Sequence, residues 1–219
     1  MSISFWLDRS SAVDSKSFDV VIVGAGLSGI SAAYWLEKED PTLKIAVVEK
    51  ARLGFGATGR NAGFVTCGSV EHFNRLVGKH GLQEATDIWR FSETNLKLLE
   101  SEIIQGDGAP LQFEKKGCYS LAANEAEITE LKKVADLMST LKIPVQVYSE
   151  SEVKKCVGAQ KFVGGIKYMD DATVHPIRLL ERMASKLKST QLIEGTEVFS
   201  VDQGDAGSRL VRTDKGTIE

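Results

Sequence analysis

Two glycine-rich stretches stand near the start of the 219-residue chain, Gly24-Ala25-Gly26-Leu27-Ser28-Gly29 and Gly54-Phe55-Gly56-Ala57-Thr58-Gly59-Arg60-Asn61-Ala62-Gly63. Between them the apolar run Lys44-Ile45-Ala46-Val47-Val48 closes on an acid, Glu49. The first stretch has the G-x-G-x-x-G spacing. Gly24 permits a sharp exit from a strand, Gly26 lets a pyrophosphate approach the backbone with no Cβ in the way, and Gly29 lets helix and strand pack closely. A helix opening at Leu27 then turns unpaired N–H groups and a positive dipole end toward the phosphates. A carboxylate at Glu49 can accept from both hydroxyls of an adenosine ribose. It repels a 2′-phosphate, and the adjacent Lys50 offsets part of that repulsion. Together these residues read as a dinucleotide site.

That site requires a strand, a tight turn and a helix in succession. Phe18-Asp19-Val20-Val21-Ile22-Val23 supplies an apolar, β-rich strand, and Ser28 to Lys38 carries Ile30, Ala33, Tyr34 and Leu36 at helical spacing. The first loop alone does not separate NAD from FAD, so an NAD-dependent dehydrogenase stands as an alternative. The second loop favours FAD. It follows the ribose-binding strand and offers further backbone donors, with Thr58, Arg60 and Asn61, to a longer ligand. The candidate cofactor-binding residues are Gly24, Ala25, Gly26, Leu27, Ser28, Gly29, Glu49, Lys50, Gly56, Ala57, Thr58, Gly59, Arg60, Asn61 and Gly63. No catalytic residue is assigned.

Further along, Leu82, Ala85, Trp89, Ser92, Leu96, Leu99 and Ile103 alternate steps of three and four and predict one long helix packed within the fold. Phe113 and Gly117 to Leu121 suggest a hairpin, and Ile128, Leu131, Ala135 and Met138 form a helical stripe. Pro144 leads into a strand, Val145 to Tyr148. Ser149-Glu150-Ser151-Glu152 has the form of a helix cap with acids in the first turn. Pro176 suits the first turn of a helix running to Lys188. Gln191 to Glu219 returns to strands, with Asp214-Lys215-Gly216 as a tight turn. Ser2 to Ser17 is polar, with Phe5, Trp6 and Leu7 as a small apolar anchor for the body of the protein.

Composition narrows the function classes. With 27 basic and 30 acidic residues the formal charge is −3, which leaves no electrostatic footprint for nucleic acid or an anionic membrane surface. No apolar run is long enough to span a bilayer. The N-terminal residues have neither a basic start nor an apolar stretch of signal-peptide length. Cys67, Cys118 and Cys156 are widely spaced and fit a reducing, cytoplasmic compartment. His72, His80 and His175 sit in no metal-binding cluster, so no metal is expected. Asp170-Asp171 reads as a solvated loop, and Tyr119, Tyr168 and His175 as residues filling a sheet face or holding a turn. No G-x-S-x-G elbow occurs.

Gly56-Ala57-Thr58-Gly59-Arg60-Asn61-Ala62-Gly63-Phe64 resembles the signature of the glycine and D-amino-acid oxidase superfamily, FAD-dependent amine oxidoreductases that include sarcosine oxidases and γ-glutamylputrescine oxidase. Phe113-Glu114-Lys115-Lys116-Gly117-Cys118-Tyr119-Ser120-Leu121-Ala122 resembles the first hairpin of that family's substrate domain, and Asp170-Asp171-Ala172-Thr173-Val174-His175-Pro176 its turn back to the flavin domain. Glu194-Gly195-Thr196-Glu197-Val198 is similar to the segment whose backbone touches the adenine, which adds Val198 to the candidate site.

The resemblance implies an α/β chain with a Rossmann-like FAD-binding domain of the glutathione-reductase type and an inserted α+β substrate domain. It sets the expected divisions at 1–17 for an N-terminal extension, 18–110 for the first flavin segment, 111–170 for part of the substrate domain and 171–219 for the return. Relatives in the family are longer, so the chain is expected to lack a C-terminal part and to act alone poorly, with a complementing half as a partner. The implied chemistry is oxidation of a small-molecule amine or amino acid. A hydride passes from the carbon beside nitrogen to the flavin, the imine is hydrolysed, and oxygen or another acceptor takes the electrons. A non-catalytic FAD-binding fragment is the alternative. Covalent relatives attach flavin through a histidine in the segment reading Thr58-Gly59-Arg60 here; none lies between Glu49 and Glu71, so FAD is expected to be held non-covalently.

Overall fold

The computed structural model describes residues 17–219. In chain order the elements are β1 (Val20–Val23), α1 (Leu27–Glu39), β2 (Ile45–Val48), β3 (Phe64–Val65), α2 (Val70–His80), α3 (Leu82–Leu98), β4 (Cys118–Ala122), α4 (Glu125–Thr140), β5 (Val145–Ser149), α5 (Glu150–Val157), β6 (Gly164–Tyr168), β7 (Ala172–Thr173), α6 (Pro176–Ala184), β8 (Gln191–Ile193), β9 (Val198–Gln203), β10 (Arg209–Thr213) and β11 (Gly216–Ile218). They divide into two compact units. One joins the N-terminal segment through Ala62 to Pro176–Glu219, and the other is the intervening Gly63–His175. The expected cut at residue 110 falls inside the second unit, because α2 and α3 share a core with α4 and β6. The anchor Phe5, Trp6 and Leu7 lies outside the described residues.

In the first unit β1, β2 and β8 form a parallel sheet in the order β1-β2-β8, Val20 to Val23 pairing in register with Ile45 to Val48. All four residues of β2 are buried, as a central parallel strand covered on both faces requires. Helix α1 buries Ile30, Ala33 and, unexpectedly, Glu37. The Glu37 carboxylate accepts the backbone N–H groups of Lys188 (2.6 Å), Ser189 (3.2 Å) and Thr190 (2.9 Å) and the Thr190 hydroxyl (2.7 Å). Burial raises its affinity for a proton, but these bonds outweigh burial and hold the carboxyl below its usual value. Helix α6 ends at Ala184, short of the expected Lys188, and the chain passes through turns at residues 185–187 before it reaches Glu37.

An antiparallel sheet, β11-β10-β9, packs on this unit through Val48, Val211 and Ile218. Asp214 and Lys215 form the expected tight turn between β10 and β11. Among the described residues β1 has β2 as its one strand neighbour, and Val23 is 56 % exposed.

In the second unit β4, β6 and β5 make an antiparallel sheet in the order β4-β6-β5, backed by a core of Phe73, Trp89, Met138, Ile166 and Tyr168. The expected hairpin from Phe113 does not form. Gly117, at φ +76°, turns the chain so that Cys118 to Ala122 pairs with the distant Gly164 to Tyr168, while Glu114 bridges to Thr173. Residues 67–81, to which the periodicity above assigns no element, contain α2. Ser69 caps its start by accepting the His72 N–H, and Gly81 at φ +87° ends it. The predicted long helix is regular to Leu98 and continues as a π-helical turn, Leu99–Ile104. Its stripe is buried at Ala85, Trp89, Leu96 and Ile103, and Leu82 is exposed. Ser149 and Glu152 form a complete capping box at the start of α5.

Asp171 departs from the solvated loop expected of it. It is buried, accepts the Thr66 hydroxyl at 2.7 Å and accepts the Cys67 N–H, which ties the residues after β3 to those before β7. Burial pushes its carboxyl above the usual value against these bonds, with Asp170 adding to the rise. Burial likewise pushes the Cys67 thiol up to about 11, reinforced by Asp171, Glu93 and Asp170.

Candidate functional site

The first glycine loop leaves β1 through Gly24 at φ +102°, a conformation that side-chain-bearing residues rarely adopt. A Cβ on Gly29 would stand 1.9 Å from the Gly24 carbonyl oxygen, so α1 reaches the strand only because this position has no side chain. Gly26 is the N-cap of α1, no side chain caps the helix there, and its first turn holds no acid. A helix start with no acid in its first turn is an anion-binding arrangement for the N–H groups that remain unpaired there.

The second loop is locked against the first. Gly54 N–H donates to the Ala25 carbonyl at 3.0 Å, and Leu27 N–H donates to Thr58 Oγ1 at 3.0 Å. Thr58 is buried and belongs to a short 3₁₀ turn, Ala57–Arg60, within the stretch expected as a glycine-rich loop. Methyl groups of Ile177 and Leu180 on α6 lie where a Cβ on Gly54 would be, at 2.7 and 2.8 Å, so α6 packs directly beneath this loop. Arg60 and Asn61 turn back onto their own loop. Arg60 Nη1 donates to the carbonyls of Phe55 and Gly56, and Asn61 Nδ2 donates to the Thr58 carbonyl at 2.8 Å. Gly56 has open space where a Cβ would stand, while one on Gly59 would come within 2.7 Å of the Gly54 carbonyl oxygen.

Glu49 ends β2 beside the first loop and is 9 % exposed. One carboxylate oxygen accepts Ala25 N–H at 3.0 Å and the other Ala51 N–H at 2.9 Å. Each oxygen retains lone-pair capacity for a further donor such as a ribose hydroxyl. Lys50, next in the chain, is exposed. The segment from Ile193 to Thr196 runs alongside, with Glu49 N–H donating to the Ile193 carbonyl and Thr196 N–H to the Glu49 carbonyl. Val198 follows at the start of β9, opposite Thr213 and packed on Val48, Val211 and Ile218. Gly63 belongs to the second unit, where its carbonyl accepts Val174 N–H at 2.9 Å.

The first unit thus brings together Gly24 to Gly29, Glu49 and Gly54 to Asn61. One contributor escaped the sequence reading of the loops: Glu194, whose carboxylate accepts Leu53 N–H at 2.6 Å and pins the turn between β2 and the second loop. In the sequence Glu194 stands only as part of the segment similar to the family's adenine contact, with no role of its own. Among the described residues there is no cluster of His, Cys, Asp and Glu able to hold a metal, and no helix is long and apolar enough to cross a membrane. The residues present fit an adenine dinucleotide: a helix start with no acid in its first turn for the pyrophosphate, glycines where side chains would intrude, and a carboxylate one strand away.

Comparison with known proteins agrees with that geometry. The probable oxidoreductase OrdL of Haemophilus influenzae is 30 % identical over 163 residues, covering 73 % of this chain and 36 % of the relative. Glycine oxidase of Bacillus subtilis is 25 % identical over 211 residues, covering 93 % of this chain and 52 % of the relative. Among solved structures, glycine oxidase from Geobacillus kaustophilus superposes with a TM-score of 0.77 at 23 % identity, covering 93 % of this chain and 53 % of that one. L-α-glycerophosphate oxidase from Mycoplasma pneumoniae with FAD bound superposes with a TM-score of 0.73 at 23 % identity, covering 93 % and 51 %. These likenesses establish a shared Rossmann-like α/β fold. The chain spans about half the length of the glycine oxidases it matches. The family model described as DAO, FAD dependent oxidoreductase, matches residues 19–219, and the chain belongs to that family.

Proposed function

We propose that this chain forms the FAD-binding part of an oxidoreductase acting on a small amine or amino acid. The observation that carries the reading is the join between the two glycine loops, where Thr58 holds Leu27 at the start of α1 while Glu49 lies against Ala25. In this reading Gly24, Gly26, Ser28 and Gly29 present backbone to the pyrophosphate, and Glu49 takes the adenosine ribose. Gly56 to Gly63 follow the ligand toward its flavin end, and Val198 meets the adenine with its backbone. FAD, when bound, supplies an acceptor for a hydride from the carbon beside the substrate nitrogen. The imine so formed is hydrolysed by water. The names of the relatives, glycine oxidase and sarcosine oxidase subunit β, support an amine or amino-acid substrate. The unpaired cysteines support a reducing, cytoplasmic setting.

Titration with FAD and NADP tests the cofactor: only FAD should bind, and tighter binding of NADP would overturn the role given to Glu49. Gly26→Leu should abolish uptake, since its side chain would occupy the place of the pyrophosphate.

A second reading, in which the 219 residues bind FAD and require a further polypeptide to turn over, rests on β1 having one strand neighbour among the described residues and on the half-length coverage of the relatives. An unpaired edge leaves N–H and C=O groups for another strand. Anaerobic mixing with simple amino acids separates the readings: flavin reduction by the 219-residue chain alone supports the first, and its absence until further sequence is supplied supports the second.

A further inference from the structure

The antiparallel sheet of the second unit has two unlike faces. Ile166 and Tyr168 of β6 are buried in the core with Trp89 and Met138, so the alternate residues Gly165 and Lys167 belong to the opposite face. Register sets Tyr119 and Gln146 on either side of Lys167, and Leu121 and Tyr148 on either side of Gly165; residues directly opposite one another share a face. Gly165 puts no side chain between its neighbours. The rings of Tyr119 and Tyr148, from the two outer strands, meet across the central one, 5.4 Å apart and nearly perpendicular. The Lys167 stem lies against Gly117, its Cε 2.5 Å from where a Cβ on that residue would stand, and its ammonium is 5.2 Å from the centre of the Tyr119 ring. The Tyr119 hydroxyl interacts with the Tyr148 hydroxyl and with the thiol of Cys156 on α5. Desolvation holds both phenols above their ordinary value, which keeps them protonated as donors. An ammonium, two hydroxyls and a thiol thus converge with no carboxylate among them, and half-buried Lys167 makes no ion pair among the described residues.

We propose that this cluster, Lys167 with Tyr119, Tyr148 and Cys156, binds a small monocarboxylate with an apolar tail. A carboxylate only accepts hydrogen bonds, and the cluster offers donors. An ammonium bonded to carboxylate oxygen makes a charge-assisted pair, stronger than a neutral one. The Tyr148 hydroxyl donates to Gln146 Oε1 at 3.5 Å, a long bond that a carboxylate oxygen would replace with a better one. One ammonium balances one negative charge, so a phosphate dianion would keep an uncompensated charge here. The two rings and half-buried Leu121 offer carbon to the tail. The inference concerns the second unit alone and does not rest on the proposed binding of FAD.

Alkylation of Cys156 by iodoacetamide, mapped by peptide mass on the full chain without added flavin, tests this, because a carboxylate seated in the cluster covers the thiol. Butyrate should slow the alkylation at least about threefold at saturation, with half of the effect in the millimolar range. In Lys167→Met the half-saturating concentration should rise at least about tenfold. Tyr148→Phe, which keeps the ring and removes the hydroxyl, should raise it about threefold to tenfold. Inorganic phosphate and chloride at matched ionic strength should give no protection. Unchanged alkylation in butyrate would overturn the proposal, as would protection that survives intact in both variants. Phosphate protecting as well as butyrate would overturn it too, since the site would then read charge and not a carboxylate with its tail.

Discussion

Thr58 Oγ1 lies 3.0 Å from the backbone nitrogen of Leu27, and a Cβ placed on Gly26 would stand 3.0 Å from that same oxygen. One hydroxyl therefore sets both the position of the second glycine loop and the size limit at the start of α1. Replacing it by Thr58→Val keeps the volume and removes the acceptor. The Leu27 N–H then loses its partner, and stability in urea should fall by about 1–2 kcal/mol. On the proposed function, FAD affinity should fall by about tenfold. An unchanged urea midpoint would show that the bond contributes nothing to holding the loops together.

Gly29→Ala tests the contact between α1 and β1. The added methyl would overlap the Gly24 carbonyl, a backbone atom that cannot turn aside. Loss of about 2–3 kcal/mol is expected, read from thermal or denaturant unfolding. Gly78→Ala is the control: in the interior of α2 its Cβ would meet nothing within 4 Å, and it should be neutral or slightly stabilising.

Acid precipitation of the flavin-loaded protein should release all colour into the supernatant, because the stretch from Glu49 to Glu71 holds no histidine for covalent attachment. Colour in the pellet would disprove non-covalent binding. If it vanished in Cys67→Ser, the attachment would be through that thiol.

Asp171 contributes a pH dependence of predictable sign. Burial raises its folded pKa above the ordinary 3.8, so the folded state binds more protons than the unfolded state between 3.8 and the raised value. Across that window stability must fall as pH rises. Asp171→Asn should flatten this part of the profile, measured as the difference in denaturant midpoint between parent and variant from pH 3.5 upward, on the order of one pH unit per step. A parent profile that rises more steeply than that of Asp171→Asn across the window would contradict the assigned sign.

The three thiols should separate by reactivity. Cys156 is exposed on α5, whereas burial pushes Cys67 to about 11 and also raises Cys118. Since the thiolate is the reacting form, labelling of native protein near pH 8 should show one fast thiol, mapped to Cys156 by peptide mass, and two slow ones. Rapid labelling of Cys67 would mean that its surroundings open readily.

How much could be read before the fold was known depends on how local each cause is. The glycine loops, β2, the capping box at Ser149 and the turn at Asp214 are determined within a few residues, and each takes the form its sequence predicts. Helix α2 was equally local in principle: Ser69, Val70, Phe73, Val77 and Gly81 give a cap, a stripe and a stop, but the run holds polar residues between them and no acidic capping partner at the third position. The partner of β4 is a different matter. Nothing near Cys118 specifies Gly164 to Tyr168, since that register is chosen by packing on Trp89 and Met138. Glu37 and Asp171 are buried acids whose partners, Lys188 to Thr190 and Thr66 to Cys67, lie far along the chain, so both look like ordinary surface charges until the chain is folded. At the candidate site the elements were legible, whereas the turning of Arg60 and Asn61 onto their own loop was not.

The hydrogen bond from Val174 to Gly63 bears on the order in which the protein assembles. It closes the second unit at its two ends, and β3 pairing with β7 seals the same neck. Everything between those residues is one long loop from the standpoint of the first unit, and joining β2 to β8 across an unfolded loop of that size would cost about 4 kcal/mol in chain entropy. Once the second unit has folded, its neck brings the flanking chain ends together and that cost is already met. Synthesis from the N-terminus therefore leaves β1, α1 and β2 waiting, incomplete, until the inserted unit has emerged and closed behind them. Mutations that slow the closing of the neck, at Thr66, Asp171 or Thr173, should then lower the yield of folded dinucleotide unit without touching any residue within it.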